Sequence, residues 1–260
     1  MSKNFDPNQN YYFYNKKNII TLVFIHGVGL DHQMWNEQIV HLNEFSFITY
    51  DLIGHGKTPC YNDKITLKDF SNQLLEILDY LKIEKVNLVG FSLGSLIALD
   101  FSVRYPKKLE KLILIGTTYK RSDQERSLVL DRYNQAKLNK PLSKQALKRW
   151  FSEKYLEEHP KTYDLFMNIL NKKPEHHENF LKAYELFANH YDDIVSIKKI
   201  NTKTLVMTGS DDVGSTPKMS KELVKDLINS TYIEIQNGKH LCSIECSDDV
   251  SMNIKNFINN

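Results

Sequence analysis

Short, continuously apolar segments alternate with longer stretches of helical spacing over much of this chain. The apolar runs are Thr21–His26, Phe45–Asp51, Lys85–Gly90, Lys111–Gly116, Lys203–Gly209 and Tyr232–Gln236. Leu22-Val23-Phe24-Ile25 and Leu112-Ile113-Leu114-Ile115 show no polar alternation, which is the pattern of strands covered on both faces of a parallel sheet. Between two of the runs, Leu67, Phe70, Leu74, Leu75, Leu78 and Leu81 recur at helical spacing, so strand, helix and strand follow one another as in βαβ units. The expected fold class is α/β, a mostly parallel, doubly wound sheet. One short leading strand, Tyr11–Asn15, fits ahead of it.

The alternation stops between Tyr119 and Ile200. Ser122-Asp123-Gln124-Glu125 is a capping box that opens a helix carrying Leu128, Tyr133 and Ala136. A second helix, capped by Ser143 after Pro141, is expected to run through Phe151. A third starts at Pro174-Glu175, with Phe180, Ala183, Tyr184, Phe187 and Ala188 on one stripe. The expected organisation is a core domain of residues 1–118 and 201–260 with a helical lid of residues 119–200. Ligands of such sheets bind outside the carboxyl ends of the strands, so a lid there shapes a substrate pocket.

Composition narrows the partners. The 260 residues carry 34 Lys+Arg against 32 Asp+Glu, a net charge of +2, which lacks the basic footprint of a nucleic-acid binder. Cys60, Cys242 and Cys246 cannot build a disulfide framework, so a reducing compartment is expected. Met1 to Asn18 has no apolar core of a secretory signal, and Ile19 to Ile25 falls far short of a membrane span. A cytoplasmic protein without membrane or nucleic-acid partners is the expectation.

The chemistry is concentrated in loops after strands. Gly90-Phe91-Ser92-Leu93-Gly94 follows a strand and opens a helical run that stops before Pro106, the context a nucleophile elbow requires. A serine needs a base to take its proton and a third group to orient that base. Of nine histidines, His240 alone follows the last strand in a loop on the same sheet edge as Ser92. His26 and His55 read as loop-packing residues near the cleft; His32, His41, His159, His176, His177 and His190 lie in helical or lid segments and read mostly as surface residues. The strand ending at Gly209 runs into Ser210-Asp211-Asp212, and only one of the two carboxylates can face the imidazole. Backbone amides of Leu93 and Val28 are placed to hold an oxyanion. Gly56-Lys57-Thr58 fails as a P-loop on spacing, and His240, Cys242 and Cys246 match no zinc signature. No cofactor and no metal are expected.

Together, His26-Gly27-Val28-Gly29 with Trp35 downstream, Asp51-Leu52-Ile53-Gly54-His55-Gly56, the Ser92 pentapeptide, Gly209-Ser210-Asp211-Asp212 and Gly238-Lys239-His240 resemble the α/β-hydrolase superfamily. The helical lid is expected after the sixth strand, and the resemblance implies an acid three residues after the strand-ending glycine, which favours Asp212. Ser95 departs from the second glycine common in this family, and a single leading strand departs from its eight-stranded sheet. Arg149-Trp150-Phe151, with Tyr155 and Pro160, is similar to the lid of 3-oxoadipate enol-lactonases, as is Asp212-Val213-Gly214-Ser215-Thr216-Pro217. That similarity implies a lactone with a free carboxylate held by Arg149 beside Trp150, although a solvated lid arginine with its stem packed is the plainer reading. The activity expected is a serine hydrolase cleaving a small ester or lactone through an acyl-enzyme, in a monomer or homodimer. The alternatives are a carbon–carbon bond hydrolase with the same triad and a ligand receptor on the same fold.

Overall fold

The computed structural model describes residues 4–138, 143–171 and 174–260. Its strands are β1 (Tyr12–Asn15), β2 (Thr21–Ile25), β3 (Ser46–Tyr50), β4 (Val86–Phe91), β5 (Leu109–Ile115), β6 (Lys203–Gly209) and β7 (Ser230–Ile235). They form one sheet in the order β1-β3-β2-β4-β5-β6-β7. β1 runs antiparallel to β3, and every other neighbouring pair is parallel.

The apolar runs are explained by what covers the sheet. Successive side chains of a strand point to opposite faces. On β2, Val23 and Ile25 enter one core cluster and Leu22 and Phe24 the other. On β5, Leu112 and Leu114 divide from Ile113 and Ile115 in the same way. The first face is covered by α2 (Leu67–Tyr80), α3 (Leu93–Arg104) and α10 (Pro217–Asp226), and the second by α1 (Asn36–His41), α11 (Cys242–Glu245) and α12 (Ser247–Asn259). Trp35 is fully buried against Phe24, as a core residue.

Among the described residues, six helices lie between β5 and β6: α4 (Asp123–Lys137), α5 (Ser143–Trp150), α6 (Glu153–Glu158), α7 (Pro160–Leu170), α8 (Pro174–Asn189) and α9 (Ile194–Ile197). α4 opens with the expected capping box. The Ser122 N–H donates to Glu125 Oε2 at 2.7 Å, and the Glu125 N–H to Ser122 Oγ at 3.3 Å. α6 and α7 were not expected; Pro160 at the first turn of α7 marks a helix start that the apolar stripe alone does not show. Pro141 lies outside the described residues, as do the side chains of Ser143, Pro174 and Glu175. α4 packs on α8, and α5 on α7. Val129, Tyr133, Ala183 and Phe187 extend the first cluster, while Leu147, Phe151, Phe166 and Ile169 extend the second. Leu128, expected in the stripe of α4, is exposed, and Val129 is buried in its place. Arg121 donates to the Phe187 carbonyl at 2.8 Å and Arg126 to the His190 carbonyl at 2.7 Å, fastening the end of α8 to the start of α4.

One count differs from expectation. The helical insertion follows the fifth strand, not the sixth, because among the described residues only β1 precedes the parallel part of the sheet. Upstream of it, among the described residues, the backbone makes one isolated antiparallel bridge, Phe5 with Tyr11.

Candidate active site

β2 pairs with β3 on one side and with β4 on the other, so the chain winds outward in both directions from this point. The crevice at the carboxyl ends of such strands is where a doubly wound sheet receives ligands. Ser92 lies there, between β4 and α3, with φ 53° and ψ −113°. A positive φ of this kind costs a non-glycine residue about 1–3 kcal/mol, so the surroundings must hold it. A Cβ at Gly90 would run into the Gly94 carbonyl, and one at Gly94 into the Ile25 carbonyl. Only glycine fits at either place. The Ser92 N–H donates to the Ile115 carbonyl at 3.0 Å. Ser95, the departure noted in the sequence, does not loosen this turn: its buried hydroxyl donates to the Gly90 carbonyl at 2.7 Å and joins the two limbs of the elbow.

Two histidines stitch the loops beside it. His26 Nε2 accepts from the Leu52 N–H at 2.9 Å, while its Nδ1 lies 2.8 Å from the Gly27 carbonyl. His55 Nε2 accepts from the Gly29 N–H at 3.1 Å, and its Nδ1 lies 3.1 Å from the Ile53 carbonyl. Each ring therefore carries its proton on Nδ1, and the two bonds fix the loop that bears Val28. Among the described residues, neither the Val28 nor the Leu93 amide donates a hydrogen bond within the protein.

His32, grouped with the surface histidines in the sequence, instead pairs with buried Asp51. Asp51 Oδ1 accepts from the His32 N–H at 2.9 Å and faces His32 Nδ1 at 2.7 Å; Oδ2 accepts from the Lys57 N–H at 2.8 Å. Asp31, His32 and Asp51 bring ligand-type atoms within 4.8 Å of one another. Their atoms are engaged in this turn, since Asp31 Oδ1 also caps the Gln33 N–H at 2.9 Å. Burial opposes ionisation of both partners, but the hydrogen bond and opposite charge outweigh it. His32 is raised above its ordinary 6.5, and Asp51 is held below its ordinary 3.8. The charged pair is fully formed between those two ordinary values. It weakens as pH rises through the raised His32 value or falls through the depressed Asp51 value. We expect His32→Asn to lower the melting temperature by about 2–4 °C more at pH 6 than at pH 9. Equal losses at both pH values in thermal melts would remove the charge from this account.

The third loop system carries Asp212 and His240. Asp212 is buried, and its Oδ1 accepts from the Gly214 N–H at 2.8 Å and the Ser215 N–H at 2.9 Å. Its Oδ2 lies 2.6 Å from His240 Nδ1. Asp211 is exposed, and its Oδ1 takes the Ser210 hydroxyl. Of the two adjacent acids, the fold turns Asp212 to the imidazole. A proton shared with that carboxylate leaves Nε2 as the basic nitrogen. The ring rests on Phe91, centroids 4.8 Å apart.

Ser92, Asp212 and His240 share the walls of a cavity of about 320 Å³ with Val28. Arg149 and Trp150, named from the sequence, also line it. The carbonyl of Trp150 accepts from the Leu241 N–H at 3.0 Å, so the end of α5 is docked on the loop that carries His240. Thr118 and Arg132, not singled out in the sequence, line the same cavity, as does Tyr184, which the sequence placed only on the apolar stripe of a lid helix. The one available signal was Leu128 and Arg132, four apart on α4 and therefore on one face.

The family model described as alpha/beta hydrolase fold matches residues 20–245. The chain belongs to that family. Among relatives of this α/β-hydrolase is the (E)-2-((N-methylformamido)methylene)succinate hydrolase of Acinetobacter baylyi, 29% identical over 235 residues, covering 88% of this chain and 87% of that protein. The 3-oxoadipate enol-lactonase 1 of the same bacterium is 26% identical, covering 88% of this chain and 85% of its own length. Among solved structures, the enol-lactonase from Burkholderia xenovorans superposes with a TM-score of 0.87 at 23% identity, over 96% of this chain and 97% of that one. These relatives are hydrolytic enzymes, as the resemblance in the sequence implied for this α/β-hydrolase. No helix among the described residues is long and apolar enough to cross a membrane.

Proposed function

We propose that this protein is a cytoplasmic serine hydrolase that opens an ester or lactone bond of a small molecule through an acyl-enzyme. The observation that carries this reading is the Asp212–His240 hydrogen bond of 2.6 Å on a cavity that also holds Ser92 at a strained strand-to-helix turn. In this mechanism His240 Nε2 takes the Ser92 proton as Oγ attacks the carbonyl carbon. The free amides of Val28 and Leu93 receive the oxyanion, and loss of one such donor typically costs about 3 kcal/mol of transition-state stabilisation. As the tetrahedral intermediate collapses, the bond to the leaving oxygen breaks and His240 gives that oxygen the proton. From a lactone, the leaving alcohol stays tethered to the acyl group as the ring opens. Water, deprotonated by His240, then attacks the acyl-enzyme and releases the acid with Ser92 restored. No step calls for a cofactor.

Two relatives support a small polar substrate: the names they carry are those of a substituted-succinate hydrolase and an enol-lactonase. Residues 119–200 act in this reading as a lid on a core of residues 1–118 and 201–260. The test is labelling with a fluorophosphonate followed by peptide mapping. We expect one adduct, on Ser92, and loss of p-nitrophenyl butyrate hydrolysis in step with labelling. A folded sample that stays unlabelled would sink the serine mechanism. A parallel panel of esters, lactones and vinylogous diketones separates oxygen-ester chemistry from carbon–carbon cleavage, which is expected to give no product.

A further inference from the structure

The helical insertion joins the core through two limbs, one leaving β5 and one returning to β6, and both meet a single carboxylate. Asp226 is the last residue of α10, a core helix packed on β6 and β7. On the outgoing limb, the Tyr119 hydroxyl donates to Asp226 Oδ2 at 2.8 Å, and Lys120 Nζ lies 2.6 Å from the same oxygen. On the returning limb, Lys198 Nζ lies 3.3 Å from Oδ1. The limbs are also joined to each other, since the Lys120 N–H donates to Asp192 Oδ2 at 2.8 Å. Lys120 makes these contacts from φ 48°, a region that non-glycine residues seldom occupy.

An isolated surface ion pair contributes little to stability. This carboxylate differs, because its side chain is only 11% exposed and it serves three donors at once. The hydrogen bond from Lys120, followed by those from Tyr119 and Lys198, holds its carboxyl down at about 2 against the opposing effect of burial. Without it, the hydroxyl of buried Tyr119 loses its acceptor, and Lys120 and Lys198 face each other as like charges. What the two limbs carry is one wall of the cavity. Thr118, next before Tyr119, lines it together with Val129 of α4 and Phe187 of α8. Arg121, next after Lys120, donates to the Phe187 carbonyl at 2.8 Å, so the same limb also holds α8. Asp226 itself lies outside the walls of the cavity. The far side of the insertion is fastened separately, where Lys239 Nζ donates to the Lys148 carbonyl at 3.0 Å.

We propose that Asp226 is a positioning residue, which clamps both roots of the insertion onto α10 and so holds the Thr118, Val129 and Phe187 wall of the cavity in place over Ser92. It touches neither Ser92 nor His240, so its loss loosens substrate binding and leaves the chemical step alone. The kinetic part of this proposal rests on the hydrolase and lid reading above; the clamping of the two limbs does not.

The experiment has two arms. In the first, kcat and KM for p-nitrophenyl butyrate, a neutral ester, are measured at about 0.05 M and about 1 M sodium chloride. Asp226→Asn is expected to raise KM about tenfold with kcat within about twofold of the wild type. Asp226→Glu, which keeps the charge, is expected to stay nearer the wild type, and Lys198→Met, which frees one limb, to raise KM a few-fold. High salt is expected to raise the wild-type KM a few-fold and to leave that of Asp226→Asn unchanged, because no charge remains there to screen. A role in stability alone would lower the melting temperature without this difference. In the second arm, hydrogen exchange is followed by mass spectrometry. Residues 117–122 and 190–200 are expected to exchange about tenfold faster in Asp226→Asn, with β4 unchanged. That arm needs no turnover, so faster exchange confined to the two limbs supports the clamp even if no ester is hydrolysed. Unchanged exchange in both limbs of a folded Asp226→Asn sample would overturn the clamp. Faster exchange there with an unchanged KM would overturn its part in positioning the cavity wall. Lys198→Met and the wild type at high salt carry the same comparison if Asp226→Asn does not fold.

Discussion

Replacing Ser92 by alanine is expected to lower kcat for p-nitrophenyl butyrate by about 10,000-fold or more while leaving the melting temperature within about 2 °C of the wild type. In the proposed mechanism the hydroxyl oxygen is the atom that bonds to the carbonyl carbon, so no neighbouring group replaces it. What remains is the smaller acceleration that the oxyanion amides and binding provide without a nucleophile. The fold has little reason to respond. The strained backbone at Ser92 is held by the glycines at 90 and 94 and by the Ile115 carbonyl, none of which touches the side-chain oxygen. The measurement is steady-state turnover alongside a thermal melt. Turnover within tenfold of the wild type in a folded Ser92→Ala sample would assign the nucleophile elsewhere.

Asp212→Asn is expected to lower kcat by about 10,000-fold, although it changes only one atom of the side chain. The reason lies in the amides behind it. The Gly214 and Ser215 N–H groups both point at Oδ1, so an asparagine must turn its carbonyl oxygen to them. Its NH₂ then faces His240 Nδ1, where Oδ2 now stands at 2.6 Å. A donor in that place forces the imidazole proton onto Nε2, the nitrogen that in the proposed mechanism accepts the proton of Ser92. Asp211→Asn, on the exposed neighbour, is expected to change kcat less than twofold, within the small effects usual for exposed surface sites. A large loss in Asp211→Asn with little change in Asp212→Asn, measured on the same ester, would reverse the assignment.

The two acids show where the sequence stopped being sufficient. Adjacent carboxylates after a strand are equivalent in composition, and family resemblance alone preferred the second. In the structure the difference is local geometry: a tight turn aims two N–H groups at Asp212, and the opposite oxygen is left for the imidazole. His32 was misjudged for a related reason. Its polar neighbours suggested a surface position, but Asp51 reaches it from nineteen residues away in the chain. α6 and α7 were missed because short helices carry too few turns for an apolar stripe to stand out. The lid follows the fifth strand rather than the sixth because, among the described residues, one strand alone precedes the parallel part of the sheet.

Features that arise from contacts close along the chain were legible in the residue pattern alone. Continuous apolar runs marked strands covered on both faces, and Ser122 with Glu125 marked a helix start. Gly90 and Gly94 flanking Ser92 marked a turn too tight for any side chain. Each of these follows from sterics or hydrogen bonding within a few residues, so the local pattern is enough to read them. Long-range packing was needed for the His26 and His55 rings to lock the loop bearing Val28, and for Asp212 to be the acid turned to His240. It alone brought Arg132 from α4, Arg149 from α5 and the unpartnered Thr118 hydroxyl to the walls of one cavity. Those groups are far apart in the chain and carry no periodic signal. Their meeting is fixed by how α4 packs on α8 and α5 on α7, a consequence of side-chain shape across distant segments.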